Sequence, residues 1–414
     1  AGYLYSGMAD VARVTNDDAM IRAVKALWHS ITNEKMYITG GVGATHLGES
    51  FSFPYDLPSD TAYNETCASV ALVFFARRML ELEPRSEYAD VMERALYNGV
   101  LSGMALDGKS FFYVNPLTVQ PKACRLDGRK EHVKSTRQKW FGCACCPPNL
   151  ARLIGSLSSY AYTQNDDTLW FHLYVGSVLT KMVGDQALDI QVQTQAPWGG
   201  ETKVRFQSDE PVRATLAFRY PSWCSRMTIT EKKSGQHFVI NQSGLVDSEA
   251  ASSDIEATYA DGYVYLTAAW QPDLELFIDT PTQERMIISN PKVSETYGQV
   301  ALQRGPIVYC MEEVDNGDNL HLFSLVPGDI TAQESTEFGH LTVNLTAKGY
   351  RKQFPQFVAD AASESKSDPL YQTYQPTKRE SVNLRFVPYY AWNNRKEGEM
   401  RVWVPFDDSP VNML

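Results

Sequence analysis

The sequence predicts a multidomain α + β protein, in which a helical domain is followed by two β-sandwich domains. Three observations predict it. The chain has 414 residues, more than a single hydrophobic core ordinarily organises, so two or three domains are expected. Up to about residue 165 apolar residues recur at the spacing of a helix face. Beyond it the period falls to two, and short apolar runs are separated by turn residues.

Each element follows from its own pattern. Ala1 to Ser6 has neither the basic region nor the cleavage site of a signal peptide, and the chain is expected to enter in the middle of a helical segment. Asp17 to Ile31 places Ile21, Val24, Leu27, Trp28 and Ile31 on one helix face. Ala68 to Leu82 is apolar nearly all round, which marks a buried helix. Tyr88 to Met104 reads as one further helical run. Leu150, Leu153, Ile154 and Leu157 mark another, opened by Pro147 and Pro148, because a first helical turn has no use for the missing N–H. About five helices result, enough for a small bundle or for part of a larger helical barrel.

Strands come next. Leu188, Ile190 and Val192 alternate with Asp189, Gln191 and Gln193, and Ala214, Leu216 and Phe218 repeat the pattern. Tyr263, Tyr265 and Thr267 follow an Asp261-Gly262 turn. Leu341, Val343 and Leu345 come later, then Val402 and Val404. The predicted boundaries are 1–165 for the helical domain, 166–285 for the first sandwich and 286–414 for the second, with the join between Pro281 and Lys292. Trp170, Trp198, Trp223, Trp270, Trp392 and Trp403 are scattered, and most are assigned to core.

Charge excludes some functions. The net charge is -11, which repels phosphate backbones and anionic lipids. The densest basic run, Arg125 to Arg137, is broken by Asp127 and Glu131 and reads as a solvated loop. Nucleic acid is therefore not an expected partner. No apolar stretch reaches the roughly 18 residues of a membrane span, so no membrane partner is expected either. A homo-oligomer is compatible with the sequence.

The seven cysteines are odd in number in a long chain, which argues against a disulfide scaffold. Three of them, Cys143, Cys145 and Cys146, fall within four residues, directly before a predicted helix. Zinc ribbons space their ligands as C-x-x-C and need a second close pair, which is absent here. A helix N-terminus exposes free N–H groups and partial positive charge, which lower a thiol's pKa. A lone cysteine is most often an inert core group; three at one helix start point to a metal or to catalysis.

Two carboxylates stand near such chemistry. Glu49 lies in a glycine-rich, aromatic-rimmed segment, Gly40 to Phe51, suited to acid/base work. Glu65 lies two residues before Cys67 and could join it on a metal only from a loop or an irregular first turn, since helix residues two apart point nearly opposite ways. The glycines do not form a nucleotide loop: no strand precedes them, no Lys-Ser/Thr follows, and the GxGxxG spacing is missing. His46 and His132 read as solvated loop histidines rather than ligands.

Several runs together resemble glycoside hydrolase family 127, the bacterial β-L-arabinofuranosidases. They are Tyr3 to Asp10, Ile38 to Gly43, Gly48 to Phe51, Asp60 to Ala68, Phe112 to Pro116, Cys145 to Asn149, Ala301 to Tyr309 and Pro388 to Trp392. The resemblance implies an (α/α)6 barrel followed by the two sandwiches, with this chain as the C-terminal portion. Glu65, Cys67, Cys145 and Cys146 would bind one Zn2+. Cys145 would also be the nucleophile and Glu49 the acid/base of a retaining glycosidase, with Tyr113 and Glu65 contacting the sugar of a glycan or oligosaccharide substrate. The family draws further sugar contacts, histidines among them, from barrel residues that precede residue 1 here, so this chain is expected to hold an incomplete pocket. The relatives are bacterial, and cytoplasm and periplasm stay equally open. Rival readings are a glycosidase for another rare plant-polysaccharide sugar, a non-catalytic carbohydrate-binding protein with a structural zinc, and a lyase-like barrel, in which the sulfur cluster would have no task.

Overall fold

A computed structural model describes residues 1–249, 254–272, 274–354 and 370–407. The first 161 residues are mainly helical. Helix α1 (Gly2–Thr15) ends at Asn16, whose left-handed backbone closes the last turn. Helix α2 (Asp18–Glu34) starts where the Asp17 side chain accepts bonds from the N–H groups of Ala19 and Met20, at 2.9 and 3.1 Å. Its face of Val24, Trp28 and Ile31 is buried, and the Trp28 ring meets Phe75 and Tyr88 edge-on. Helix α3 (Thr66–Leu82) is buried on nearly every side, as its composition predicts.

The helical run expected from Tyr88 to Met104 is present, with its winding changing along its length. Helix α4 (Ser86–Arg94) gives way to a π-turn at Ala95–Val100 and a 3-10 turn at Leu101–Gly103. The Asn98 side chain donates to the Arg94 carbonyl at 2.8 Å, and the Gly99 N–H leaves the ladder for Thr39 O at 3.0 Å. A Cβ on Gly99 would stand 2.7 Å from Ser69 Oγ, so this close approach admits only glycine. Two further helices, α5 (Pro121–Leu126) and α6 (Cys146–Gly155), follow. The run Arg125 to Arg137 is only partly solvated. Arg137 is buried, donates to the carbonyls of Ser102, Trp392 and Tyr390, and lies over the Phe112 ring.

Beyond residue 161 the described residues are mainly strands. A seven-stranded sheet and a five-stranded sheet contribute inward faces to one apolar core, with Leu188, Ile190 and Val192 from the first and Leu216, Phe218 and Leu266 from the second. Asp261 and Gly262, both at positive φ, form the two-residue hairpin turn that the sequence announces, with Ala260 facing Tyr263. On the strand after that turn, Val264, Leu266, Ala268 and Trp270 point into the core, while Tyr265 and Thr267 are half-buried. Tyr263 is buried as well, because its hydroxyl meets His172 Nδ1 at 2.7 Å. Trp270, Trp392 and Trp403 are core; Trp170, Trp198 and Trp223 are half-buried.

A nine-stranded sheet is built from the last third of the chain. Its edge includes Thr118–Val119 from the helical region, paired with Met400–Arg401. Phe112, Val114 and Leu117 share a core cluster with Cys310, Val387 and Trp392, so this sheet backs the loops between α4 and α6. No helix among the described residues is long and apolar enough to cross a membrane.

Candidate active site

Three segments converge. In the first, Gly40 (φ 71°) turns the chain where a Cβ would lie 2.6 Å from the Ala95 Cα. Thr45 then pairs with Ser50 across a turn containing Gly48 and Glu49. Glu49 itself has φ 49°, a conformation few side chains adopt, and it projects from the surface. In the second, the N–H groups of Tyr63 and Asn64 both donate to Gly43 O. Glu65 is the last extended residue before α3, and Cys67 sits in that helix's first turn. This is the irregular start that lets residues two apart face one site.

A buried polar lattice ties this segment to Tyr113. Thr66 N donates to Tyr113 O, Thr66 Oγ1 to Phe112 O, and Asn115 Nδ2 to both Asn64 O and Thr66 Oγ1. Such buried networks fix backbone position. In the third segment, α6 opens on Cys145 and Cys146 with Pro147 and Pro148 in its first turn, anchored by buried Leu150 and Leu153. Cys146 is fully buried and Cys145 half-buried.

The ligand atoms of Glu65, Cys67, Cys145 and Cys146 all lie within 4.8 Å of one another. Cys67 Sγ is 3.5 Å from Cys146 Sγ, and the Sγ atoms of Cys145 and Cys146 are 3.8 Å apart. Glu65 Oε1 is 3.2 Å from Cys145 Sγ and 3.9 Å from Cys146 Sγ. A tetrahedral cation with thiolate bonds of about 2.3 Å needs ligand–ligand edges of about 3.8 Å. The four donors therefore fit one metal ion.

The thiol electrostatics differ from the sequence expectation. Burial raises Cys145 above its ordinary pKa. The hydrogen bond between Cys67 and Cys146 raises Cys146, as burial also does, and lowers Cys67 against the opposing effect of burial. Without a cation, burial and crowding outweigh the helix N-terminus at both α6 thiols; a cation at the centre reverses that balance.

Tyr113 OH lies 3.2 Å from Cys145 Sγ, and burial pushes its pKa up, so it remains a hydroxyl. Glu49 stands outside the cluster. A cavity of about 270 Å³ is lined by Glu49, by Tyr63 and, of the four clustered groups, by Glu65. Tyr63 OH donates to Glu49 Oε1 at 2.8 Å, and its ring is 6.2 Å from that of Tyr113. The structure thus gathers Glu65, Cys67, Cys145, Cys146 and Tyr113, and brings Glu49 to the rim. His46 and His132 stack at 4.3 Å beside Tyr63 and are not among the four clustered ligands.

Two side chains here were not singled out in the sequence. Tyr63 holds Glu49, and Asn149 Nδ2 reaches Cys67 Sγ at 3.0 Å. Both stand inside the resembling runs, and only their nearness to Glu65 and Cys146 could have marked them.

Comparison with known proteins agrees with this layout. Residues 3–159 match the profile described as "Beta-L-arabinofuranosidase, GH127 catalytic domain", residues 168–282 the GH127 middle domain, and residues 284–405 the glycoside hydrolase family 127 C-terminal domain. The chain belongs to glycoside hydrolase family 127. A family relative, the non-reducing end β-L-arabinofuranosidase of Bifidobacterium longum subsp. longum, is 39% identical over 416 residues, covering 97% of this chain and 58% of that protein. The crystal structure of a GH127 β-L-arabinofuranosidase from Geobacillus stearothermophilus T6 superposes with a TM-score of 0.86 at 44% identity, over 98% of this chain and 60% of that one. A second solved GH127 β-arabinofuranosidase gives 0.81 at 32%, over 98% and 59%. The chain thus spans about three-fifths of the length of these GH127 relatives.

Proposed function

We propose that this GH127 chain carries the reacting groups of a retaining β-L-arabinofuranosidase acting on glycans or oligosaccharides. Cys145 is the nucleophile and Glu49 the acid/base. Glu65, Cys67, Cys145 and Cys146 hold one zinc ion, and Tyr113 and Glu65 contact the sugar. The carrying observation is a half-buried Cys145 Sγ inside a three-sulfur, one-carboxylate cluster whose Glu65 lines a cavity together with Glu49. Three thiolates with one carboxylate suit zinc and not the oxygen-seeking cations. The names of the Bifidobacterium and Geobacillus relatives support the sugar.

In the first step the Cys145 sulfur attacks the anomeric carbon. The C–S bond forms as the C–O bond to the leaving group breaks, and Glu49 gives its proton to the departing oxygen. In the second step Glu49 takes a proton from water, and the water oxygen attacks the same carbon. The C–S bond breaks and its electron pair returns to Cys145. Two inversions leave the configuration unchanged. Bound zinc supplies Lewis acidity that stabilises negative charge on sulfur. Tyr63 engages Glu49 Oε1, so Oε2 is the oxygen that carries and accepts the working proton.

The same reading makes residues 1–165 part of an (α/α)6 barrel, with sandwiches at 166–285 and 286–414. The core shared by the seven- and five-stranded sheets supports the first sandwich. The test is Cys145→Ser and Glu49→Gln in the full-length protein, assayed on an aryl β-L-arabinofuranoside. Cys145→Ser should abolish turnover, and Glu49→Gln should lower it at least about 100-fold with zinc still bound. Near-normal turnover by Cys145→Ser refutes the nucleophile, and hydrolysis of other aryl glycosides in preference refutes the sugar.

A further inference from the structure

We propose that Asn149 is a positioning residue of the metal centre: its amide holds Cys67 as a permanent, electron-depleted ligand, leaving Cys145 as the sulfur that moves between metal and sugar. The inference rests on the thiolate–zinc reading above.

Asn149 lies one turn into α6, and its Nδ2 is 3.0 Å from Cys67 Sγ. An amide can present either end, so something must choose. Arg152 Nη2 donates to Asn149 Oδ1 at 2.9 Å, which turns the NH2 end toward the sulfur. Residues three apart share a helix face, so α6 carries both members of the relay. The Arg152 guanidinium is itself held over the Phe74 ring at 4.5 Å and near the Tyr3 ring at 5.9 Å.

The three sulfurs are thereby made unlike. Cys67 accepts an amide N–H, Cys145 has the Tyr113 hydroxyl beside it, and Cys146 has only the other thiols and Glu65 within reach. An N–H···S bond draws charge from a thiolate and reduces what it gives to the metal. The metal then attracts its remaining ligands more strongly. That is useful in the second step, when the Cys145 sulfur must leave carbon as an anion. It also keeps Cys67 from competing for the sugar.

The test exchanges zinc for Co2+ in the full-length protein and records the sulfur-to-cobalt charge-transfer band. In Asn149→Ala the band should move to lower energy at unchanged intensity, since all three sulfurs stay bound but Cys67 becomes more electron-rich. Zinc-loaded turnover should fall on the order of 10- to 100-fold. Arg152→Ala, which removes an exposed side chain, should shift the band less and in the same direction, and serves if Asn149→Ala fails to fold. A band and turnover that match wild type in both variants overturn the proposal. So does a loss of band intensity, which would mean that Asn149 only maintains ligation. Wild-type protein that binds Co2+ without any thiolate band sinks the metal reading itself.

Discussion

At the residue scale, the site depends on a few side chains whose partners define them. Glu49 is exposed, and the Tyr63 hydroxyl donates to its carboxylate at 2.8 Å. On the proposed mechanism, Tyr63→Phe is expected to lower kcat on the order of 10-fold with KM nearly unchanged, because it loosens the carboxylate assigned as acid/base. The loss should be smaller on substrates whose leaving group needs little protonation. Steady-state kinetics on an aryl and an alkyl glycoside checks this. Cys146→Ala removes a fully buried member of the cluster and, on the proposed zinc reading, should cost 10- to 100-fold or more in zinc affinity, read by competition with a chromophoric chelator. Three cysteines at one helix start are chemically unusual, and two of them, Cys145 and Cys146, join the cluster while Cys143 stays exposed outside it; Glu65 and Cys67 were marked as its members only by the family resemblance. Tyr63 and Asn149 were not legible, since a tyrosine or an asparagine acquires such a role only through what lies across the fold.

At the scale of elements, the pattern of apolar residues located helices and strands but not their irregularities. The run from Tyr88 to Met104 keeps a helical period, yet Asn98 breaks its ladder by bonding across the fold. Its amide donates to Pro306 O at 2.9 Å and accepts from Val308 N at 2.8 Å. Asn98→Ala should destabilise the protein by about 3 kcal/mol, because it leaves buried backbone groups of the last sheet unpaired. Denaturant unfolding measures it, and a change below about 0.5 kcal/mol would contradict this account. The strand after Asp261-Gly262 shows a related limit. Tyr263, Tyr265 and Thr267 mark its period of two but not its core face: the aliphatic residues fill the core, and Tyr263 is buried on the other face because its hydroxyl finds a partner in His172.

At the scale of the whole molecule, the helical and β regions are joined by buried polar groups. Arg219, fully buried on a strand of the five-stranded sheet, pairs with Asp90 and Glu93 of α4 at 2.5 Å each. Arg219→Leu would strand two carboxylates and should cost about 3 to 5 kcal/mol, seen as a lower melting temperature. His172 lies at the same junction, its N–H bonded to Ala161 O, and burial holds its imidazole well below the usual pKa. The folded state therefore refuses a proton that the unfolded state accepts. Stability is complete above the unfolded pKa of about 6.5 and declines as pH falls below it. Urea titrations from pH 8 to 5 should show that slope, and His172→Gln should flatten it. Cys67 and Cys146 stand 79 positions apart in the chain and 3.5 Å apart in space. A cation clasping them would staple that loop as a disulfide does, removing on the order of 4 kcal/mol of freedom from the unfolded chain. Metal starvation would then register as faster proteolytic nicking of the full-length protein, before any sugar is offered.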